Sequence, residues 1–166
     1  FEELGLGSII WCFAPNNSAR YGEYWNHEDF SIIGPDQEPR AWESYVRTHA
    51  RAMSGKPIHQ EFFGPFRFWD PIQLEARPDR RFTLDMMRRE SDAPTVVFVP
   101  ERQYPEGFYL WVSDGRAFFE AERRWLYWYP SADAPGVTHH LRIEARRPAV
   151  DFQGWSYFFD GTRWIV

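Results

Sequence analysis

The residues of this chain best suited to chemistry are crowded into one segment near its start. Between Ala14 and Asp36 the sequence reads APNNSARYGEYWNHEDFSIIGPD. With Trp11 just before it, this stretch presents Asn16, Asn17, Arg20, Tyr21, Glu23, Tyr24, Trp25, Asn26, His27, Glu28 and Asp29. Such a mixture suits sugars. Aromatic faces pack on the C–H faces of pyranose rings, while carboxylates, amides and guanidinium groups form paired hydrogen bonds to neighbouring hydroxyls. The same residues also suit a loop folded on itself, with Asn and Asp as turn formers and aromatics as plugs. Glu23, Glu28 and Asp29 raise the question of a carboxylate pair for glycoside cleavage, but nothing in their spacing aims two of them at one pocket. Asp29 is equally suited to capping or accepting a turn hydrogen bond.

Other chemistries find less support. His27 with Glu28 and Asp29 lacks metal-ligand spacing on a defined element. His139 and His140 are adjacent in an expected strand, so their side chains point to opposite faces. Cys12 is the single cysteine, which removes a disulfide framework and a zinc cluster. It sits in an apolar run and reads as a core residue. No G-x-S-x-G elbow is present. No cofactor is implied.

These residues need elements to hold them. Phe1–Leu6 reads as a helix end, with Gly5 and Gly7 as stop signals. Ser8–Phe13 (SIIWCF) fits a short strand buried on both faces. The loop follows, longer than the ~12–15 residues beyond which unstructured connections tend to be functional. A helix is then expected, with Pro39 in its first turn and Ala41, Trp42, Tyr45 and Val46 as its apolar face, fading near Met53–Gly55. Strand, loop and helix make one βα unit, which cannot close a core by itself.

From Ile58 the pattern is β. Strands are expected at Ile58–Phe63, Phe82–Met87, Thr95–Val99, Phe108–Val112, Ala117–Ala121, Trp125–Tyr129 and His139–Ala145, punctuated by Pro and Gly. Seven short strands at this spacing predict an antiparallel β-sandwich. Asp114-Gly115 between two apolar runs predicts a two-residue hairpin. Trp155–Phe159, Asp160-Gly161 and Thr162–Val166 suggest one more. Trp125, Tyr127 and Tyr129 alternate with Leu126 and Trp128, so one set faces outward unless a further layer covers it. An exposed set is either a binding platform or an interface with a neighbouring domain.

Composition narrows the classes. Of 166 residues, 19% are aromatic, which argues for a packed fold. Nineteen basic against twenty-four acidic side chains give a net charge of −5, and Lys56 is the only lysine. That balance argues against nucleic acid and against a polybasic membrane contact. No apolar run approaches the ~18 residues of a transmembrane segment, and no signal-peptide pattern is present. The first residue is Phe1 rather than Met, so the chain reads as part of something longer.

Two sets of residues resemble a known family. Ile9–Asn17 followed by Gly22–Ile32 resembles the end of the catalytic barrel in glycoside hydrolase family 5, in particular its glycolipid-acting branch of endoglycoceramidases, glucosylceramidases and steryl β-glucosidases. Arg40–Arg47 and Ala52–Gly55 resemble the last barrel helix and its exit. Ala93–Pro100, Tyr104–Gly107 and Val112–Gly115 are similar to the C-terminal β-sandwich of the same proteins.

The resemblance implies a mainly β chain, an antiparallel sandwich preceded by the last β/α unit of a TIM barrel. Residues 1–54 would be the end of the (β/α)8 barrel, 55–147 the sandwich, and 148–166 a tail with a possible extra hairpin. Trp11 would be the strand-eight Trp that stacks on the sugar in the cleavage subsite. Asn16, Asn17, Trp25, Asn26, Glu28 and Asp29 would line the rim. Glu23 and His27 depart from the family loop, where Asp and Gly are common. The two catalytic glutamates follow barrel strands four and seven in this family and would precede Phe1, so no catalytic residue is expected within this chain. The partners implied are a β-glucoside or glycolipid substrate and the rest of the barrel, packed on the sandwich. Two alternatives stand beside this reading: a non-catalytic carbohydrate- or lipid-binding sandwich, and a purely structural domain.

Overall fold

A computed structural model describes residues 31–34, 36–40, 42–64, 80–88, 91–131, 137–146 and 154–166. The strand expected at Ser8–Phe13 and the sugar-suited residues Trp11, Asn16, Asn17, Trp25, Asn26, Glu28 and Asp29 lie outside the described residues.

The regular structure of the described residues is nearly all strand: β1 (His49–Ala52), β2 (Gly55–Phe63), β3 (Arg81–Arg88), β4 (Thr95–Phe98), β5 (Phe108–Val112), β6 (Arg116–Glu120), β7 (Trp125–Tyr129), β8 (Thr138–Ala145), β9 (Tyr157–Phe159) and β10 (Trp164–Ile165). One sheet runs β1-β4-β7-β6 and the other β10-β9-β5-β8-β3-β2. Every pairing between them is antiparallel. This is the expected antiparallel sandwich, and all seven expected strands are present.

Period-two alternation builds the core. Phe82, Leu84 and Met86 of β3 are buried, as are Leu141 and Ile143 of β8 and Phe108, Leu110 and Val112 of β5. Opposite them stand Val97, Phe119, Leu126 and Trp128 of the smaller sheet. Phe108 sits among aromatic rings, edge-on to Phe119 at 5.0 Å, with Phe159 at 5.6 Å and Tyr104 at 5.7 Å. Each such side chain contributes roughly 1.5–3 kcal/mol by leaving water.

Two expectations are corrected. The helix is a single turn, Trp42–Tyr45 (α1), and does not reach Met53. The residues after it are claimed by the sandwich. Gln103 Nε2 donates to the Val46 carbonyl at 2.6 Å, Arg47 donates to the Phe62 carbonyl at 2.7 Å, and Thr48 Oγ1 bonds the Tyr104 hydroxyl at 2.9 Å. The chain then pairs as β1 with β4, gaining a strand ladder that a solvent-exposed helix could not match. This strand precedes residue 55 yet belongs to the four-stranded sheet.

Asp114-Gly115 does not join a hairpin. β5 pairs with β8 and β9, while β6 pairs with β7, so the turn carries the chain from one sheet to the other. Gly115 has φ 74°, and a Cβ there would overlap the Tyr129 carbonyl oxygen. A sheet-crossing corner demands the same left-handed glycine as a tight hairpin, so the two look alike in sequence. The tail does form a hairpin, β9 with β10, whose Asp160 Oδ1 accepts from the Thr162 and Arg163 amides at 2.9 and 2.7 Å.

Candidate functional site: the aromatic face of the smaller sheet

Alternation on β7 resolves which aromatics face out. Leu126 and Trp128 are buried, whereas Trp125, Tyr127 and Tyr129 lie half-buried on the outer face. The neighbouring edge strand β6 adds Arg116, Phe118 and Glu120 to that face, since its Phe119 points into the core. Phe118 is 56% exposed. It sits directly opposite Tyr127, the two rings nearly parallel with centroids 6.3 Å apart. Trp125 meets Tyr127 edge-on at 6.3 Å.

Polar groups border these rings. The Tyr127 hydroxyl donates to Glu120 Oε2 at 2.9 Å, and Arg123 approaches Glu120 Oε1 at 3.5 Å. Desolvation and the adjoining Glu120 push the Tyr127 phenol above its ordinary range, so it remains a neutral donor. The Arg116 guanidinium lies 5.3 Å from the Tyr129 ring centre. Those of Arg51 and Arg123 lie 4.9 and 5.4 Å from Trp125. A shallow groove of about 500 Å³ runs along β6 and β7, lined by Arg116, Ala117, Phe118, Glu120, Tyr127 and Tyr129. The Trp125, Tyr127 and Tyr129 stripe was legible in the sequence. Arg116, Phe118 and Glu120 were not singled out there, although their own alternation around Phe119 carried the signal.

The two adjacent histidines point to opposite faces, as their strand position requires. His140 is exposed, its Nδ1 2.7 Å from Asp85 Oδ1. His139 is 2% exposed, its Nδ1 2.6 Å from Asp114 Oδ2. Asp114 also accepts from the Ser131 amide at 2.7 Å and the Ser113 hydroxyl at 2.8 Å, while its carbonyl accepts from Trp128 Nε1 at 2.9 Å. Burial pushes the Asp114 carboxyl up. The bonds from Ser131, Ser113 and His139 outweigh that and hold it below its ordinary value of 3.8. The His139 Nε2 atom is buried without a hydrogen-bond partner, so no substrate atom reaches the far side of this ring. The pair locks the corner between the sheets and is unsuited to acid–base work.

Likeness to known proteins agrees with this architecture. Residues 74–143 match the family model of the Glycoside hydrolase family 5 C-terminal domain. Over 47 residues, 28% of this chain and 6% of the other, the sequence is 38% identical to ergosteryl-beta-glucosidase of Saccharomyces cerevisiae. The fold is similar to that of Cryptococcus neoformans sterylglucosidase 1 in its tris complex, with a TM-score of 0.62 and 18% identity over 82% of this chain and 22% of that one. Endo-glycoceramidase II from Rhodococcus sp., in its ganglioside GM3 complex, aligns with a TM-score of 0.50 and 17% identity over 70% of this chain and 22% of that one. The chain thus corresponds to about a fifth of each solved neighbour. Among the described residues no helix is long and apolar enough to cross a membrane. The stretch from residue 74 to residue 143, which holds β3 to β7 and most of β8, is thus the part of the chain that matches the family 5 C-terminal domain.

Proposed function

We propose that this chain is the C-terminal segment of a retaining glycoside hydrolase acting on β-glucosides or glycolipids. In this reading the residues before β1 complete the catalytic barrel, the sandwich beside it begins with β1 at His49, and residues 148–166 extend that sandwich. Trp11 stacks on the sugar in the cleavage subsite. Asn16, Asn17, Trp25, Asn26, Glu28 and Asp29 form the rim of the substrate cleft. The general acid/base and the nucleophile are a close pair of glutamates supplied by preceding sequence, as retention requires. The observation that carries the reading is the family 5 C-terminal domain match over residues 74–143. The solved neighbours support the class, since their own names describe a sterylglucosidase and an endo-glycoceramidase.

The test uses two polypeptides: the 166-residue chain, and the same chain extended by its preceding coding sequence. The extended protein should hydrolyse an aryl β-glucoside with the β-anomer as first product, seen by proton NMR. Its Trp11→Ala variant should lose about 10–100-fold in kcat/KM, because stacking is realised most fully on the flattened transition state. The 166-residue chain should give no turnover above a blank. Turnover by that chain alone, or an α-anomer as first product, refutes the proposal. An extended protein that binds glycosides or lipids without cleaving them would favour the non-catalytic module.

A further inference from the structure

We propose that the groove on β6 and β7 is a non-catalytic binding subsite for neutral hexopyranosides, one that engages about two sugar rings. The proposal rests on the described sandwich and stands independently of the catalytic reading.

The groove is built for a ligand with flat apolar faces and polar edges. Phe118 and Tyr127 form a shelf of two nearly parallel rings, and the 56% exposure of Phe118 leaves that shelf open to solvent. A large aromatic this exposed on an edge strand is a liability unless something covers it. The volume, about 500 Å³, lies within the range of roughly 300–1,000 Å³ of small-molecule sites and accommodates about two pyranose rings. Glu120 and Arg116 stand at opposite ends of the shelf, four residues apart on the same face of β6, or about 13 Å along the strand. One is an acceptor for paired hydroxyls and the other a planar donor for them. Within the groove lining these two charges balance, so the lining itself suits an uncharged polyol, while Arg123 beside Glu120 and Arg51 over Trp125 stand outside that lining. Glu120 is already oriented by the Tyr127 hydroxyl, so little side-chain freedom remains to be lost on binding.

Topology leaves this face accessible. Residues 42–48, which lead into the sandwich, dock against Phe62, Arg102, Gln103 and Tyr104. They enter the smaller sheet through β1, at one edge. The groove lies at the opposite edge, on β6, three strand spacings or about 14 Å away. A preceding domain entering through β1 therefore need not cover it.

The test is saturation-transfer and chemical-shift NMR on the 166-residue chain with methyl β-glucoside, methyl α-glucoside, methyl β-galactoside and cellotetraose at millimolar concentration. Saturation should pass from the Phe118 and Tyr127 rings to at least one sugar, with cellotetraose bound more tightly than the monosaccharides. Phe118→Ala and Glu120→Gln should each weaken binding about tenfold or more while the chain still unfolds cooperatively within a few degrees of the parent, since both side chains lie outside the core. Ile165→Ala, on the other sheet, should leave binding unchanged. The proposal is overturned if no sugar in the panel perturbs these rings. It is equally overturned if Phe118→Ala leaves the affinity unchanged. Sedimentation supplies a third check: a dimer that Phe118→Ala dissolves would make a second copy of the chain the occupant. Because the catalytic test reads turnover by the extended protein, failure of either idea leaves the other standing.

Discussion

Replacing Asp114 by Ala should loosen the corner that joins the two sheets by about 3 kcal/mol. The side chain holds three partners: the Ser131 amide at 2.7 Å, His139 Nδ1 at 2.6 Å and the Ser113 hydroxyl at 2.8 Å. A hydrogen bond to a charged acceptor contributes roughly 1.5–3 kcal/mol. Asp114 is 28% exposed, which favours the low end of that range for the Ser131 and His139 bonds. Ser113 is exposed and rebonds to water, so it adds little. The larger part of the loss falls on His139. Its Nε2 already lacks a partner, and removing the carboxylate leaves both ring nitrogens buried and unpaired. At roughly 2–4 °C per kcal/mol for a chain of this size, Tm should fall by about 6–12 °C. Asp114→Asn should fall between the two proteins, at about 1–2 kcal/mol. Its amide oxygen still accepts from Ser131 and its NH2 can donate to Nδ1, at the expense of an orphaned N–H at Nε2. Thermal and urea unfolding followed by Trp fluorescence and circular dichroism would rank the three proteins. If Asp114→Ala melts within about 2 °C of the parent, the corner does not depend on this carboxylate and the reasoning fails.

Two further outcomes follow from the same geometry. Tyr104→Phe should lose about 1–2 kcal/mol in urea unfolding, because Thr48, buried with it, is left with an unpaired hydroxyl. Burial pushes the Tyr104 phenol well above its ordinary value of 10.0, against the opposing pull of the Thr48 bond. The parent should therefore lose stability as pH rises above about 10, where the unfolded phenol ionises, and the Phe variant should lose less. Asp160 is held at about 2 by the Arg163 amide, the Thr162 hydroxyl and the Thr162 amide. A carboxyl lowered in the folded state stabilises above its unfolded value of 3.8, and that support fades as pH falls toward 2. Carboxyl-carbon NMR should place its titration midpoint near 2, and Asp160→Asn should remove the acid-dependent fraying of β9 and β10 seen by amide exchange. A midpoint near 3.8 would show that the Asp160 turn does not form.

Much of this protein was legible before any coordinates. Alternation of apolar and polar residues marked Phe82–Met87 as a strand, and Phe108–Val112 and Trp125–Tyr129 stood out as short aromatic-rich runs bounded by Pro and Gly. The same rule sent His139 and His140 to opposite faces. The likeness to the family 5 C-terminal domain was recognisable from the segments around Thr95–Pro100 and Val112–Gly115. His49–Ala52 escaped notice because a short edge strand with Arg51 facing water has no alternation long enough to register, while the Trp42–Val46 spacing before it imitates a helix. The loop-borne sugar contacts proposed at Trp11 through Asp29 rest on sequence and resemblance.

The sequence by itself determined local conformation: which residues extend, which turn, and which face of each strand is apolar. Only the tertiary structure decided which strands pair. Asp114-Gly115 specifies a tight left-handed turn in either a hairpin or a sheet crossing, and the choice falls to the partners that bury the two strands, β8 and β9 for β5 and β7 for β6. Likewise Asp114 meets His139, 25 positions away, and Asp85 meets His140, 55 positions away, through sheet packing and strand register. Those contacts are non-local, and a pattern read a few residues at a time cannot contain them.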